Sequence, residues 1–439
     1  MNNLIKLCGC LAMAWGLAGT AAAEIEFIPL VDASAAVSSG KFETNSAGSQ
    51  VDPAGNTHSP NDNSSSGDFY LSLAPNFRFT GLPNLWITPY LEFDYTGANN
   101  LMQIEDEAFV FAKRLYFYYV LGASYDFNKT WTMKVKGFGR IENSAETKDE
   151  SLNDGLYNYR DAGGWLEGRA RYELGVPMAT KWGYKAYLRR YPFYTNQDLI
   201  NQYKETGNTL TASLLPEDLH EKDVNVNETW LRQEFAWGSW PVLTNLELKG
   251  RLVRYTEMPV VIEDGTLSPD LRQDVYVDAA LELPVQLHRY HQIELDYQYE
   301  LHGSNQNYYT TSGPLFIGGY YNYYQNSVRF LYNAVIPLKL AGFMPKLAFS
   351  ISGQNRVYPG RPSRQKTSNE DTVGAYTGQA HWENTADIGV VLKQQLFADW
   401  FALFFSFHGI SQSSNDNVDD SAPYNFKYNT FTLGSALSF

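Results

Sequence analysis

The sequence predicts an all-β protein, a transmembrane antiparallel up-and-down β-barrel of about 16 strands. Three observations favour this fold class. Apolar and polar residues alternate over many segments of ten or more residues, which is the period of a β-strand and the length that a tilted membrane-crossing strand needs. Short and long connections between these segments alternate strictly. The chain contains 31 tyrosines and 25 phenylalanines, a composition that favours strands over helices.

The N-terminal segment has the pattern of a secretory signal peptide. Lys6 supplies the positive charge, an apolar run covers residues 11–17, and three alanines occupy positions 21–23. This order of a basic region, an apolar region and small residues predicts cleavage after residue 23. We therefore expect residues 1–23 to be removed, leaving a single barrel domain over residues 24–439.

Cysteine content and charge exclude several classes of function. Both cysteines, Cys8 and Cys10, lie in the predicted signal peptide, so a mature chain would have no disulfide and no cysteine-metal site. Removing this segment, with one basic and no acidic residue, changes the formal net charge from -14 to -15. Such an acidic chain is a poor candidate for nucleic acid, and we predict no such partner. No run of 18 apolar residues follows the signal, so only a barrel would cross a membrane.

The alternation places sixteen candidate strands along the chain, with boundaries that sequence patterns fix only to within two to four residues. The predicted ranges are 25–38, 68–79, 85–96, 109–125, 130–142, 162–176, 183–194, 228–239, 245–256, 272–284, 291–303, 321–336, 346–357, 380–394, 400–412 and 424–439.

The connections predict which end of the barrel faces which side of the membrane. Short turns at 81–84, 126–130, 240–244 and 397–399 alternate with eight long polar loops. Outer-membrane barrels have short periplasmic turns and long extracellular loops. Five tryptophans near the proposed short turns predict an aromatic girdle at the periplasmic interface: Trp86, Trp131, Trp182, Trp240 and Trp400.

The C-terminal residues TLGSALSF add an independent signal. Thr432, Gly434, Leu437 and Phe439 form the pattern polar-x-Gly-x-x-hydrophobic-x-aromatic. Here the sequence resembles bacterial outer-membrane β-barrel proteins, and its layout is porin-like. The resemblance implies an outer-membrane location, contact with membrane lipid, and recognition by the barrel-assembly machinery through Gly434, Leu437 and Phe439. It also implies a homotrimer as one assembly, although the sequence leaves the oligomeric state open.

One strand shows what the two faces of the barrel wall are expected to contain. In HQIELDYQYELHG, residues 291–303, apolar and aromatic side chains alternate with carboxylates. Charges against hydrocarbon would be costly, so we expect the carboxylates to face the lumen. The same parity on this strand and the preceding one predicts an acidic part of the pore lining: Asp274, Asp278, Glu282, Glu294, Asp296 and Glu300.

Earlier strands supply the opposite charge on the predicted lumenal face. The basic pore-lining candidates are Lys134, Lys136, Arg140, Arg169, Arg171, Lys185, Arg189, Arg232, Lys249 and Arg251. Glutamates share these strand faces, so cross-strand ion pairs are expected to neutralise part of the charge. Basic and acidic arcs side by side would produce a transverse electric field that selects solutes by dipole and charge.

These features favour a passive outer-membrane channel for small hydrophilic solutes, because sixteen strands leave a lumen too wide for side chains to fill. Six tyrosines on the expected lumenal face raise a saccharide preference as one alternative: Tyr70, Tyr90, Tyr116, Tyr118, Tyr187 and Tyr191. A conduit for polymer export and a closed surface-binding or structural barrel also remain open. The apolar loop 195–227 is expected to act as a constriction, a lid or a rim helix. We predict no enzymatic activity, cofactor or metal site.

Overall fold

The structure, a computed structural model, is a closed barrel of 16 antiparallel strands. It describes residues 25–44, 50–51, 57–58, 62–99, 103–104, 107–108, 113–145, 152, 155, 157–194, 221–237, 242–310, 315–365, 367, 374–416 and 425–439. The predicted signal peptide, Trp240 and residues 195–220 of the 195–227 loop lie outside the described residues.

The sixteen strands follow one another around the barrel in chain order. They are β1 (Ile25–Ile28 and Val31–Thr44), β2 (Asp62–Leu73 and Asn76–Phe79), β3 (Leu82–Asn99), β4 (Lys113–Asp126), β5 (Trp131–Ala145), β6 (Tyr159–Glu173), β7 (Pro177–Arg190), β8 (Val224–Ala236), β9 (Leu243–Val261), β10 (Leu267–His288), β11 (His291–Ser304), β12 (Tyr323–Val335), β13 (Lys346–Gln365), β14 (Ala375–Gln395), β15 (Phe401–Ser414) and β16 (Phe426–Ser438).

Two prolines explain why β1 and β2 each consist of two pieces. Pro29 and Pro75 occupy the interruptions, and proline has no N–H to donate to a strand ladder. The chain stays paired across the breaks, because the Ala74 amide donates to the Leu30 carbonyl at 2.8 Å. Each pair of pieces therefore forms one wall strand.

The barrel closes by pairing its last strand with its first. Asp32 lies opposite Ser438 in the antiparallel register of β1 and β16. Reciprocal backbone hydrogen bonds join Val31 and Phe439, at 3.1 and 2.9 Å. Closure leaves no unpaired sheet edge, which a membrane-spanning β-structure requires.

Three further short hairpins lie in the connections. They pair Gln50–Val51 with Thr57–His58, Gln103–Ile104 with Glu107–Ala108, and Tyr308–Thr310 with Leu315–Ile317. Among the described residues, the chain forms no helix with the length and apolarity of a bilayer crossing.

All sixteen predicted strands are present, and their two faces differ as the alternation predicts. The outer face carries large apolar side chains that are strongly exposed, such as Leu121 at 63% and Leu433 at 59%. In β11, Leu295, Tyr297 and Leu301 belong to this outer face, with exposures of 42–46%. The largest difference in boundaries is β13, which ends at Gln365, eight residues after the predicted end at 357.

The tryptophan girdle agrees only in part with the prediction. Trp131 and Trp400 are exposed on the outer face beside short turns, at 48% and 43%. Trp182 is also on the outer face, but it lies within β7, away from the turn that precedes the strand. Trp86 was wrongly assigned: it pairs with Ser124 in the register that also joins Glu92 to Tyr118, so it shares their inner face. Trp237, missed by the prediction, is 48% exposed beside the turn after β8.

Candidate functional site

The inner face of the barrel can be identified from contacts that skip a strand. Curvature brings side chains on the concave surface together, so ionic and ring contacts between residues two strands apart indicate that surface. Arg169 of β6 contacts Glu234 of β8 at 3.5 Å, and the rings of Phe138 and Tyr187 approach to 5.8 Å across β6. The charged residues predicted for the lumen follow the same strand parity, so the structure places them on this inner face.

A buried carboxylate connects three strands of the basic arc. Asp161 of β6 lies opposite Arg140 of β5 and Arg189 of β7. The Arg140 Nε donates to it at 2.8 Å, and the Arg189 Nε and Nη2 donate at 2.8 and 3.0 Å. The Asp161 side chain has no exposed surface, whereas the two guanidinium groups remain about one fifth exposed. Both guanidinium groups also lie near the Tyr159 ring, at 5.3 and 4.0 Å.

Arg232 organises a second ionic cluster nearer the short turns. It contacts Glu282 at 2.6 Å, Glu234 at 3.4 Å and Glu247 at 3.4 Å. Lys181, which the sequence analysis overlooked, adds a contact of 2.5 Å to Glu234. The cluster joins β7 to β10, so the basic and acidic arcs meet directly at this level.

Three other basic residues of the arc differ in how their charge is balanced. Lys134 pairs with Glu167 at 3.1 Å, and Lys249 pairs with Glu228 at 3.4 Å. Arg171 is an exposed residue close to the short turn after β6. The arc therefore mixes neutralised and exposed cations.

Lys136 and Lys185 contact an aromatic ring instead of a carboxylate. Their ammonium groups lie 4.5 and 5.6 Å from the centre of the Trp165 ring. Arg251 similarly lies 3.9 Å from the Tyr276 ring. Within the described part of the chain, none of these three cations has a carboxylate oxygen within 4.0 Å. A ring face stabilises a cation without cancelling its charge, so these groups leave net positive charge on the inner wall.

On the acidic arc, one arginine holds two of the predicted carboxylates. Arg329 of β12 contacts Glu294 at 3.1 Å and Asp296 at 2.5 Å. Sequence reasoning missed it, although applying the same parity to the predicted strand 321–336 would have placed it on the lumenal face. Three of the predicted acidic residues, Asp274, Asp278 and Glu300, lie outside the contacts of Arg329.

Asp278 and Glu300 form the part of the acidic arc with least compensation. They are direct register partners on β10 and β11. Glu300 accepts a hydrogen bond from the Tyr323 hydroxyl at 2.6 Å, and Gln298 reaches Asp278 at 3.5 Å. No cationic nitrogen of the described residues lies within 4.0 Å of either carboxylate. The pair therefore leaves net negative charge on the acidic arc, whereas the cations that contact aromatic rings leave net positive charge on the basic arc.

Asp274 is enclosed, with only 1% of its surface exposed. Its carboxylate accepts hydrogen bonds from Arg272 at 2.9 Å and from the Ser304 hydroxyl at 2.6 Å. The Tyr321 carbonyl, in the connection between β11 and β12, lies 2.8 Å from His302 Nδ1. That connection therefore packs on the inner wall near the long-loop end, and Asp274 serves to anchor it. In the sequence, Asp274 had the same strand parity as the other predicted acidic residues, so its burial could not be predicted.

Known proteins resemble the chain only in overall architecture. No protein-family model and no curated protein sequence matches it. The similar solved structures include three bacterial proteins. Pseudomonas putida OprB has 12% identity and a TM-score of 0.45, with 94% of each chain covered. Pseudomonas aeruginosa OccK8 has 8% identity and a TM-score of 0.42, with 94% of this chain and 98% of that one covered. The channel DcaP of Acinetobacter baumannii has 10% identity and a TM-score of 0.40, with 96% and 99% covered. These scores are too low to assign a solute.

The closed barrel and its apolar exterior decide the class. The chain forms a closed antiparallel β-barrel with an apolar outer face, the architecture of a membrane-spanning β-barrel. The inner wall of the barrel also has a sector rich in neutral hydroxyl and amide side chains, which was not predicted. Charged residues such as Arg356, Glu383 and Asp387 lie among them. Small hydroxyl and amide side chains share the inner parity of β1, β2 and β12–β16: Ser34, Ser38, Ser66, Ser72, Gln325, Ser327, Ser350, Ser352, Gln354, Thr385, Ser406, Gln412, Thr430 and Thr432.

The residues of the C-terminal pattern all lie where the barrel closes. Gly434 faces inward, and a Cβ at this position would collide with the Phe404 ring, so the glycine lets that ring lie flat on the wall. Leu437 pairs with Phe401 on β15. Phe439 is 58% exposed and stacks on Trp400 with ring centres 5.2 Å apart. These positions are structural, and recognition by the assembly machinery remains a prediction.

Proposed function

We propose that the barrel is a passive channel for small hydrophilic solutes and that its charged inner wall sets which solutes pass. The observation that carries the proposal is the separation of uncompensated charge around the wall. Lys136, Lys185 and Arg251 contact aromatic rings on the basic arc, and Asp278 and Glu300 pair with each other on the acidic arc.

This arrangement supports a field in the lumen because the cations lie on β5, β7 and β9, whereas the carboxylate pair lies on β10 and β11. Side chains that are desolvated on one side by the wall and wet on the other interact more strongly than they would in bulk water. Solutes with a dipole are then oriented, and ions are sorted by sign. The neutral hydroxyl sector supplies hydrogen bonds from uncharged side chains.

The test is single-channel recording of the refolded protein in a planar bilayer, with reversal potentials measured under a salt gradient. We expect stable open steps. Asp278→Asn combined with Glu300→Gln should shift the reversal potential toward anions, and Lys136→Gln combined with Lys185→Gln should shift it toward cations. The absence of open steps from protein shown to be folded by heat-modifiable gel mobility would refute an open channel.

A matched control uses a carboxylate outside the lumen. Asp264 lies in the exposed turn between β9 and β10, where the Thr266 hydroxyl and amide donate to it at 2.6 and 2.9 Å. These hydrogen bonds hold the pKa of Asp264 below its usual value, so it is ionised at neutral pH. Asp264→Asn should leave the reversal potential unchanged. A shift as large as that of the lumenal pair would show that the method reports total charge and not charge on the wall.

A further inference from the structure

Three arginines face outward at the long-loop end of the barrel wall. Arg160 of β6 and Arg190 of β7 are direct register partners, and Arg254 of β9 lies two strands from Arg190. Alternation with the inward-facing Asp161 and Arg189 places Arg160 and Arg190 on the outer face. All three arginines are exposed residues. We call them the outer arginine cluster.

Neighbouring charges only partly compensate the cluster. Arg190 contacts Asp223 at 3.0 Å, and Asp223 is buried at 1% exposure, so this contact fixes the position of the guanidinium. Within the described part of the chain, no carboxylate oxygen lies within 4.0 Å of Arg160 or Arg254. Arg254 lies between Asn225 on β8 and Gln273 on β10, both neutral. Like charges directly opposite each other on adjacent strands repel, so an anion bound between them would be favoured.

The height of the cluster corresponds to a membrane surface. On the outer face, Tyr172, Thr180 and Gln233 form a hydrogen-bonded group near the short turns, with contacts of 2.8 and 2.6 Å through the Thr180 hydroxyl. Along β7 the rise from Thr180 to Arg190, at about 3.4 Å per residue and a tilt of about 40°, is roughly 26 Å. That distance matches the apolar band of about 25 Å in outer-membrane barrels.

The wall between these two polar levels is mainly apolar and exposed, although the Tyr184 hydroxyl donates to Asn227 at 2.5 Å there. Leu166 at 37%, Trp182 at 37% and Leu188 at 46% exposure lie on it. Leu188 is two residues below Arg190 on the same face. A ligand of the cluster would therefore have an anionic group on the arginines and hydrocarbon along the strands beneath them.

We propose that the outer arginine cluster binds the phosphorylated head group of an outer-leaflet lipid, whose acyl chains pack on β6–β8. Guanidinium groups hold phosphate oxygens with paired, charge-assisted hydrogen bonds. Basic residues at the membrane surface attract anionic lipid in the same way. This inference rests on the outer-membrane location and is independent of channel function.

The experiment titrates the folded full chain in nonionic detergent with two probes, bisphosphorylated lipid A and the same lipid without phosphates, and measures binding by native mass spectrometry. We expect the phosphorylated lipid to bind at least about tenfold more tightly. Arg160→Gln and Arg254→Gln should each weaken its binding about tenfold, because each removes charge-assisted hydrogen bonds to the phosphate. Arg190 is kept because its removal would leave Asp223 buried without its cation.

Arg289→Gln, a change of the same charge at the short turn between β10 and β11, is the matched control and should bind as the unchanged protein does. Equal affinity for the two lipids would overturn the proposal, and so would an equal loss in the Arg289 variant. Inorganic phosphate serves as a third probe. If it binds alone with the same dependence on Arg160 and Arg254, the cluster is a site for soluble anions and the lipid assignment is wrong. Heat-modifiable mobility confirms that each variant is folded.

Discussion

Asp161→Asn is the substitution that most directly tests the ionic framework of the inner wall. Asp161 is the one acceptor shared by Arg140 and Arg189, and its side chain is fully enclosed. Asparagine has the same shape but no charge, so both guanidinium groups would remain in place without a counter-ion. The effect on stability therefore measures electrostatics and not packing.

The magnitude follows from the burial of the three groups. Removing one partner of a buried ion pair destabilises a protein by about 3–5 kcal/mol. Arg140 and Arg189 retain side-chain exposures of 23% and 22%, so water in the lumen relieves part of the penalty, and the asparagine amide oxygen still accepts one hydrogen bond. We expect a loss of about 2–3 kcal/mol in the free energy of unfolding.

The assay is urea unfolding of the barrel in lipid vesicles, followed by tryptophan fluorescence, with Asp264→Asn as the exposed control. The control should change the free energy of unfolding by less than about 0.5 kcal/mol. Asp161→Asn should also shift the reversal potential toward anions, because two cations lose their counter-charge. An unfolding free energy indistinguishable from that of the control would refute the view that this carboxylate holds the basic arc together.

Two further predictions use the same unfolding assay. Gly163→Ala should destabilise the barrel by about 1–3 kcal/mol, because the added Cβ collides with the Ala186 carbonyl oxygen. The control, Gly137→Ala, adds its Cβ into open space and should have less than about a third of that effect. Equal effects of the two substitutions would contradict the reasoning. Leu121→Arg places a charge on the lipid-facing wall and should lower the free energy of unfolding by about 2–4 kcal/mol near the bilayer midplane. Ser406→Arg places the same charge on the inner wall and should lower it clearly less. The reverse order would show that the two faces are misassigned.

The strands were predictable from the sequence because a membrane barrel imposes a long, uninterrupted period of two. In β11 the alternation of Leu295, Tyr297 and Leu301 with carboxylates determined both the strand and its lumenal face. The same rule was not applied to Trp86, which was assigned from its proximity to a turn. Its even-numbered position, shared with Glu92, places it inside. Parity is the stronger signal since one residue of displacement moves a side chain to the opposite face.

The pairing of charges was not predictable in the same way. Parity gives the face of each residue, but it does not give the stagger between strands or the curvature that brings alternate strands together. The contact between Arg169 and Glu234 crosses an intervening strand, and no spacing in the sequence indicates it. The connection between β11 and β12 contacts the inner wall beside Asp274, through the Tyr321 carbonyl and His302, and this contact is equally invisible in a one-dimensional pattern.

The ring contacts also bear on which solutes the wall would favour. A saccharide that slides along aromatic side chains needs exposed ring faces. Tyr276 has Arg251 at 3.9 Å and the stacked His302 ring at 4.3 Å, and Tyr187 contacts Phe138, Lys185 and the neighbouring strands. These tyrosines use their faces to hold cations and other rings in place, so they have little free surface for a sugar. At these two positions the aromatic rings act through the charges that they position, and the neutral hydroxyl sector offers hydrogen bonds to a saccharide.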